Sequence, residues 1–378
     1  MSAQATPAPL QAKAFADAVT AWQKREGRQH LPWQYTGDAY KVWLSEIMLQ
    51  QTQVSTVLNY YARFLDAFPT VADLAAAPSE AVMTLWAGLG YYSRARNLHA
   101  CAKAVVAQFG GQFPRDVEAL ASLPGIGRST AGAVASLAHG VQAPILDGNV
   151  KRVFCRYYGI EGDPMSTPVV KRLWEIAQHN VPAVEPGRYN QALMDLGATR
   201  CTPRNARCGQ CPLMSTCVAL RQGRVEQLPS PKLKKPRPEL HFVAIWLVDA
   251  RGCVWLQQQT ERGLWKDLWM PPCIPVPVNS DSGSWYELVR ALVQSTGLQV
   301  NADALRTALN SAAAQPWLVH ELTHRKMHFK TVLLRHDGVL DLCKAADALP
   351  LPKVVHKLTE AAVAQQNTLD VGQGLALK

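Results

Sequence analysis

Four cysteines lie close together in the sequence CTPRNARCGQCPLMSTC, residues 201–217. Cys201, Cys208, Cys211 and Cys217 have the spacing C-x6-C-x2-C-x5-C. Four thiolates this close in sequence can bind one metal centre, and four unligated buried cysteines would be unusual at this density. Zinc modules usually have two tight C-x2-C pairs joined by a longer arm. Because this stretch has one tight pair, the spacing favours a four-cysteine iron–sulfur cluster over zinc.

Two carboxylates have the chemistry needed to cleave a glycosidic bond. Asp147 lies in PILDGNVKR at the start of a predicted helix, where its spacing alone favours a helix cap worth about 1 kcal/mol. Glu46 lies off the apolar stripe of VWLSEIMLQQTQV, and most such glutamates are simply solvated. Its neighbours are unusually apolar, however, and an apolar pocket would raise its pKa and keep it protonated. A protonated acid paired with an ionised carboxylate is the arrangement that breaks a glycosidic bond.

The segment LPGIGRSTAGAVASL predicts a helix–hairpin–helix. A short helix around Asp116–Ser122 precedes Pro-Gly-Ile-Gly, and a second helix starts near Ser129. Gly125 and Gly127 allow the backbone to turn tightly and to approach a ligand without a side-chain clash. The amides at the turn and at the new helix start are a natural seat for a DNA phosphate. A turn without a ligand has the same two glycines, so the setting, and not Gly-x-Gly alone, favours phosphate binding.

The composition predicts a basic protein with two domains. The 378 residues exceed one ordinary domain, and the 48% hydrophobic content excludes global disorder. The net charge of +10 suits nucleic acid or an anionic membrane surface, although a basic enzyme without such a partner has the same charge. No apolar run approaches a membrane span, the N-terminus does not resemble a secretory signal, and the nine cysteines argue against a disulfide scaffold. We therefore expect a cytoplasmic, nucleoid-associated protein of bacterial type.

Apolar residues recur with a helical period through most of residues 14–220. The polar Gln50–Gln53 predicts a break between two helices, and Gly110-Gly111 is a normal helix stop. Ser166 or Thr167 is the expected cap of a further helix that has proline in its first turn.

The pattern changes after residue 227. LPSPKLKKPRPEL, residues 228–240, predicts a basic, proline-rich linker. Four strand-like runs and one helix-like run then predict an α+β module over residues 241–345, followed by a helix and tail over residues 346–378. The runs are HFVAIWLV, CVWLQQQ, SWYELVRALVQSTGL, WLVHEL and FKTVLL.

Seven segments in one order between residues 31 and 217 resemble the adenine DNA glycosylases of the MutY type, within the endonuclease III superfamily. They are LPWQ, YKVWLSEIMLQQTQV, LWAGLGYYSRARNLH, LPGIGRSTAGA, ILDGNVKRV, YNQALMDLGA and the cysteine loop. The resemblance implies an α + (α+β) fold. Its first part is a helical glycosylase domain over residues 1–227, with a helix–hairpin–helix at about 116–137 and a 4Fe–4S cluster loop at 201–217. The C-terminal module resembles the family's Nudix-like lesion-recognition domain.

The resemblance also implies a reaction on double-stranded DNA by a monomer: removal of adenine mispaired with 8-oxoguanine or guanine. The adenine must leave the stack before its sugar bond can be reached. Glu46 would protonate adenine N7, and Asp147 would stabilise the oxocarbenium-like sugar. Ser129 stands where bifunctional relatives have a Schiff-base lysine, so efficient strand cleavage is not expected.

The resemblance extends to two sets of binding residues. The implied adenine pocket contains Trp33, Gln191, Ser129 and Asn149. The implied contacts with DNA and the lesion are Gln51, Thr52, Leu89, Tyr91, Gly125, Gly127, Leu322, Thr323 and His324. Core packing is the simpler interpretation of Trp33 and Tyr91 from periodicity alone.

Two positions depart from the family pattern. Gln34 stands where relatives often have arginine after LPW, so one adenine contact is either missing or supplied elsewhere. Leu322-Thr323-His324 aligns with a Phe-Ser-His lesion-reading loop and keeps a hydroxyl but loses the aromatic ring.

Three other functions stay open at this point. A thymine-mismatch or oxidised-pyrimidine glycosylase shares the helical part but usually lacks the second domain. A non-catalytic lesion-binding protein would leave Glu46 and Asp147 without a chemical role. An oxidised-nucleotide hydrolase would need the R-E-x-x-E-E metal box, and ELVRALVQSTGL occupies its place.

A metal site at His320, His324 and His328 is not expected. Their four-residue spacing suits one face of a helix, but the segment is typical of a strand–turn–strand, in which the three rings would not converge.

Overall fold

The computed structural model describes residues 10–230, 236–261, 263–299, 301–346 and 349–369. Its contacts divide the chain into two compact units, residues 1–77 with 96–234 and residues 78–95 with 235–378. The sequence did not predict that residues 78–95 belong with the second unit. The first nine residues, the middle of the linker and the end of the tail lie outside the described residues, so the predictions for them stay predictions. Among the described residues no helix is long and apolar enough to cross a membrane.

Helices form the described part of the first unit, as the apolar periodicity predicts. They are α1 Ala12–Glu26, α2 Ala39–Leu49, α3 Val54–Ala67, α4 Val71–Ala76, α6 Ser93–Phe109, α7 Val117–Ser122, α8 Arg128–His139, α9 Gly148–Tyr158, α10 Thr167–Asn180, α11 Pro186–Thr199 and α12 Val218–Arg221, with a 3-10 turn at Cys208–Gln210. Helix α5, Ser79–Trp86, lies in the second unit, and α6 begins there.

Local sequence sets the helix ends close to the predicted positions. Asp38 caps α2 by accepting hydrogen bonds from the backbone of Tyr40 and Lys41. The predicted break after α2 is confirmed, and Gln51 lies within it with a φ of 59°. Helix α10 follows Ser166 and has its proline in the first turn.

The core of the first unit holds together the helices that carry the candidate site. The Phe15 ring of α1 lies 4.9 Å from the Tyr157 ring of α9 and 6.4 Å from the Tyr189 ring of α11, measured between centroids. Phe15, Phe154, Tyr157 and Tyr189 are all buried. This packing fixes α9 beside α11, and therefore fixes the side chains that these two helices present to the site.

The second unit contains a sheet with the strand order β6-β7-β1-β2-β8, in which β5 also pairs with β1, and a separate β3-β4 pair. Strands β1 and β7 run parallel, and the other pairs are antiparallel. The strands are β1 Glu239–Val248, β2 Val254–Trp255, β3 Gln257–Gln258, β4 Trp269–Met270, β5 Cys273–Val276, β6 Leu318–Glu321, β7 Lys326–Arg335 and β8 Cys343–Lys344. The helices are α13 Ser282–Gln294, α14 Ala302–Ala314 and α15 Lys353–Leu369.

Successive side chains of β1 point to opposite faces of the sheet, and both faces are buried. Val243 and Ile245 belong to the core cluster that contains α13 and α14, whereas Ala244 and Trp246 belong to the cluster that contains α15. The predicted strands and α13 are confirmed. Strand β1 begins at Glu239, inside the range predicted as linker, because Glu239 already pairs with β7. Helix α14 and strands β4, β5 and β8 were not predicted, since short strands have almost no periodicity to detect.

Candidate active site

A cavity of about 240 Å³ opens in the first unit. Glu46 of α2, Gln191 of α11 and the turn residues Trp33 and Gln34 line it. Trp33 is buried and packs edge-on against Tyr61 with the ring centroids 5.2 Å apart, so it is a core residue and a cavity wall at once. The cavity thus brings together an acid and two carboxamides that are far apart in sequence.

Glu46 is half-buried on the cavity side of α2. Burial, and to a smaller extent the negative charge of Asp147, together raise the pKa of the Glu46 carboxyl to about 7. An acid with this pKa holds a proton near neutral pH and can still release it, which is what a general acid requires.

Asp147 caps α9 and interacts electrostatically with Glu46. Its Oδ1 accepts from Val150 N at 2.8 Å, and its Oδ2 accepts from Asn149 Nδ2 at 3.2 Å. Arg152 Nη2 in turn donates to Asn149 Oδ1 at 2.8 Å. Burial raises the pKa of Asp147, whereas Val150, Asn149 and Arg152 act in the opposite direction and favour the carboxylate. Asp147 does not line the cavity, but its charge acts on Glu46.

Ser129 has a structural contact that the sequence did not indicate. Its Oγ accepts a hydrogen bond from Leu146 N at 2.9 Å. Because Leu146 immediately precedes Asp147, this contact links the start of α8 to the segment that positions the Asp147 carboxylate.

The sequence analysis did not identify Asp195, a buried acid that contacts the cavity-lining Gln191. Asp195 is fully buried and forms an ion pair with Arg28 at 2.7 Å. Its Oδ1 also accepts from Gln191 Nε2 at 3.0 Å. Burial raises the pKa of Asp195, and Arg28 and Gln191 oppose that rise. The available signal was spacing, because residues 191 and 195 of YNQALMDLGA are four apart and share one helix face.

The predicted helix–hairpin–helix is confirmed as α7, a tight turn and α8. Gly125 has a φ of 75°, and a Cβ there would lie 2.6 Å from Asn97 Cβ, so both backbone and space require glycine. Gly127 is the N-cap of α8, and a Cβ added there would meet no atom within 4 Å. The surface at the start of α8 is therefore open to a ligand.

The four clustered cysteines line a single cavity in the first unit, together with Arg156. All four are free thiols, and Arg156 Nη1 donates to Cys201 Sγ at 3.5 Å. Burial raises the pKa of Cys211 to about 12, so thiolates here need a bound cation to be stable. No group of three or more His, Cys, Asp or Glu in the described part of the chain converges as one metal ion would require. The four thiols that line this cavity are the donor set that a four-cysteine iron–sulfur cluster would require.

The residues of the first 100 that are implied in DNA and lesion contact lie in two turns and differ in exposure. Gln51 is exposed and Thr52 is half-buried between α2 and α3, and Leu89 is buried beside Tyr91. The core-packing interpretation of Tyr91 is wrong, because the side chain is 42% exposed with a φ of 50°. Its hydroxyl lies 2.7 Å from Thr323 Oγ1, within the second unit.

The turn between β6 and β7 carries the other implied lesion contacts. Leu322 N donates to Arg325 O at 2.9 Å, and Thr323 and His324 are exposed at the tip of this turn. The predicted strand–turn–strand is confirmed, and His320 and His328 lie on opposite strands of the hairpin.

Comparison with known proteins decides the family. Residues 44–179 match the HhH-GPD superfamily base excision DNA repair protein family. The adenine DNA glycosylase of Buchnera aphidicola subsp. Acyrthosiphon pisum is 33% identical over 357 residues, which are 92% of this chain and 97% of that protein. This chain belongs to the adenine DNA glycosylase family. The human adenine DNA glycosylase is 49% identical to this family member over 224 residues, 57% of this chain and 41% of the human protein.

A solved structure supports the helical fold of this adenine DNA glycosylase family member. A thermostable thymine-DNA glycosylase aligns with a TM-score of 0.51 and 30% identity, covering 56% of this chain and 97% of the other. A fold that covers 56% of this chain is therefore shared with a glycosylase named for a different base.

Proposed function

We propose that this protein is a monomeric base excision repair enzyme that hydrolyses the N-glycosidic bond of adenine mispaired with 8-oxoguanine or guanine in double-stranded DNA. The observation that carries the proposal is the pairing of Glu46, whose pKa is raised to about 7, with Asp147, whose charge acts on it. Membership of the adenine DNA glycosylase family supports the choice of base.

In the proposed reaction Glu46 donates its proton to N7 of an adenine that has been extruded from the duplex. Protonation turns the base into a neutral leaving group, so the bond between N9 and the sugar C1′ breaks with its electron pair going to adenine. The cavity wall formed by Trp33 limits the water around Glu46 and favours the protonated acid.

Asp147 stabilises the positive charge that develops on the sugar, by its charge or by a transient covalent bond to C1′. Water then adds to C1′, releasing Asp147 where a bond has formed, and the proton that the water loses restores the Glu46 acid. Its helix cap fixes the direction of the carboxylate, and the Asn149 amide holds the second oxygen. Asn149 thus helps to hold the Asp147 carboxylate in place.

We assign recognition of the base opposite adenine to Tyr91 and to the Leu322-Thr323-His324 turn of the second unit. Both carry exposed polar groups that contact each other. The mixed sheet with helices on both faces supports a Nudix-like assignment for this unit, without the glutamate-rich box for nucleotide hydrolysis.

A 4Fe–4S cluster is the proposed cofactor, and Cys201, Cys208, Cys211 and Cys217 would hold it. A cluster held by four thiolates would fold the 201–217 loop around itself and would fix the basic side chains there as a structural element. The net charge of +10 and the open start of α8 support DNA as the partner. Cytoplasmic, nucleoid-associated localisation follows from this proposal.

Alkali cleavage of labelled duplexes tests the proposal. Duplexes contain adenine or thymine opposite 8-oxoguanine or guanine, and alkali converts each abasic product to a strand break. We expect breaks at adenine in both pairings and none at thymine. Breaks at thymine alone would indicate the mismatch glycosylase, and binding without breaks would indicate a lesion-binding protein.

A further inference from the structure

The turn between β6 and β7, which carries Thr323 and His324, is held by a side chain from another part of the second unit. Arg237 Nη1 donates to Leu322 O at 3.1 Å, and Arg237 Nη2 forms an ion pair with Glu321 Oε2 at 3.1 Å. One planar guanidinium thus binds two successive residues at the start of the turn.

The contact with Leu322 involves a carbonyl that matters for the shape of the turn. Leu322 N donates to Arg325 O at 2.9 Å, so these two residues face each other across the hairpin. The first carbonyl of a β-turn usually accepts from the fourth amide of the same turn, and here it accepts from the Arg237 side chain. The conformation of this turn therefore depends on Arg237 as well as on the residues of the turn itself.

The two residues that follow Arg237 contact the other strand of the hairpin. Pro238 O accepts from Lys326 N at 2.9 Å, and Glu239 Oε2 lies 3.0 Å from His328 Nε2. Because β1 and β7 are parallel and pair from Glu239 and Lys326 onward, the chain enters the sheet at the end where the turn lies. Three successive residues therefore contact both strands next to the turn.

These contacts affect orientation more than folding. The side chains of Arg237 and Glu321 are 42% and 58% exposed, and an exposed ion pair contributes little to stability. The Thr323 hydroxyl, however, lies 2.7 Å from the Tyr91 hydroxyl, and such a bond persists only between about 2.5 and 3.0 Å. A small movement of the turn would break this bond without unfolding the second unit.

We propose that Arg237 is a positioning residue for recognition of the base opposite adenine. It holds the Leu322-Thr323-His324 turn in the conformation in which Thr323 contacts Tyr91. This inference rests on the proposed function, which assigns that recognition to this turn and to Tyr91. Arginine suits the role because its fork supplies two donors in one plane, whereas the lysine ammonium is a compact point charge. The end of the predicted linker thus contributes to specificity.

A direct contact between Arg237 and a DNA phosphate is the competing role, since an exposed cation attracts a polyanion. The two roles differ in what Glu321 does. In phosphate binding Glu321 competes for the guanidinium, so Glu321→Gln would tighten binding to both mispairs equally. In the positioning role Glu321 anchors the guanidinium, so Glu321→Gln should lower the preference for 8-oxoguanine over guanine.

Single-turnover excision of adenine opposite 8-oxoguanine and opposite guanine tests the proposal. We compare the wild type with Arg237→Lys and with the matched control Arg290→Lys. Arg290 is 44% exposed and pairs with Glu287 on α13 of the same unit. Arg237→Lys should lower the ratio of the two rates about fivefold, the usual effect of one lost hydrogen bond, whereas Arg290→Lys should leave the ratio unchanged. Thermal unfolding should be nearly the same in both variants.

Glu321→Gln, with Glu287→Gln as its control, should change the ratio in the same direction as Arg237→Lys. The double variant of Arg237→Lys and Thr323→Val should be no worse than the poorer single variant, because both changes act on one hydrogen bond. An unchanged ratio in Arg237→Lys, or an equal loss of rate on both mispairs, would overturn the inference.

Amide hydrogen exchange in the free protein tests the positioning role without DNA. The amides of Leu322 and Lys326 should exchange faster in Arg237→Lys than in the wild type, and Arg290→Lys should leave both rates unchanged. Equal exchange in Arg237→Lys and the wild type would also overturn the inference. If the wild type excises adenine from neither duplex, the proposed function fails, and the exchange rates still decide whether Arg237 holds the turn.

Discussion

The Tyr91 hydroxyl lies 2.7 Å from Thr323 Oγ1 although 232 residues separate them in sequence. The Arg94 guanidinium packs against two rings of this segment, 5.4 Å from the Tyr91 ring centroid and 5.2 Å from the Trp86 ring centroid. Two residues that the family resemblance assigned separately to lesion contact therefore form one hydrogen-bonded pair in the second unit.

This pair should act as one recognition element. Tyr91→Phe and Thr323→Val each remove one hydroxyl and should lower the preference for 8-oxoguanine over guanine by a similar factor. The double variant should be no worse than the poorer single variant, because the shared hydrogen bond can be lost only once. Single-turnover rates on both mispairs measure this, with Thr323→Ser as the control that keeps the hydroxyl. Fully additive losses would show that the two groups act independently.

The acid role of Glu46 predicts a pH dependence. With its pKa raised to about 7, the carboxyl loses its proton as pH rises through neutrality, so kcat/KM for adenine excision should fall above pH 7. Glu46→Gln should reduce excision by at least about 100-fold and leave duplex binding intact. Glu118→Gln, at an exposed position of α7, is the matched control. A flat pH profile between 6 and 9 would remove Glu46 from the acid role.

The same pKa shift has a consequence for stability. The pKa of Glu46 is higher in the folded protein than in the unfolded chain. The contribution of Glu46 to the free energy of unfolding is therefore fully present below pH 4.5 and is lost as pH rises through about 7. Glu46→Gln should therefore raise the free energy of unfolding at pH 8 by about 2 kcal/mol, allowing for the partial exposure of the carboxyl. Thermal melts at pH 8 and pH 4 measure this, and no gain is expected at the lower pH.

Two substitutions at Asp147 distinguish its role as the helix cap of α9 from the role of its charge in catalysis. Asparagine keeps an oxygen that can accept from Val150 N, whereas alanine loses both the cap and the charge. Excision should fall in both variants by about 100-fold or more, because neither can stabilise the sugar cation. Only Asp147→Ala should also lose about 1 kcal/mol of stability. Near-normal excision by Asp147→Asn would show that the carboxylate is only a helix cap.

The cysteine loop predicts the metal content of the purified protein. We expect about four iron and four sulfide per chain, measured by elemental analysis and by visible absorption. Cys211→Ser should lower the iron content sharply because it removes one ligand, whereas Cys253→Ser in the second unit should not change it. One zinc per chain in place of iron would replace the cluster assignment with a single-ion site.

Ser129 predicts that the enzyme removes the base without cleaving the DNA strand. Serine cannot form an imine with the abasic sugar, so borohydride should trap no strong protein–DNA adduct with the wild type. Ser129→Lys supplies an amine at the same position and should yield such an adduct. It should also lower stability, because the lysine cannot accept the hydrogen bond from Leu146 N. A strong adduct with the wild type would contradict the monofunctional assignment.

The sequence by itself determined the helices around the candidate site and the chemical types of the side chains there. The stop at Gly110-Gly111, the Asp147 cap and the hairpin at residues 123–128 follow from local backbone preferences and the nearest side chains. Cysteine spacing indicated a metal centre, and the order of motifs indicated the family. Apart from the order of the motifs, each of these signals lies within about 20 residues of chain, where propensity and periodicity operate.

Only the tertiary structure decided how distant residues act on one another. The apolar neighbours of Glu46 in residues 42–54 suggested a raised pKa, but the burial that raises it and the added effect of the Asp147 charge exist only in the folded chain. The orientation of Gln191 depends on a hydrogen bond to Asp195. The inclusion of residues 78–95 in the second unit likewise arises from contacts across the chain. Burial, electrostatic potential and hydrogen-bond direction are properties of the space around a residue, and that space exists only when the chain has folded.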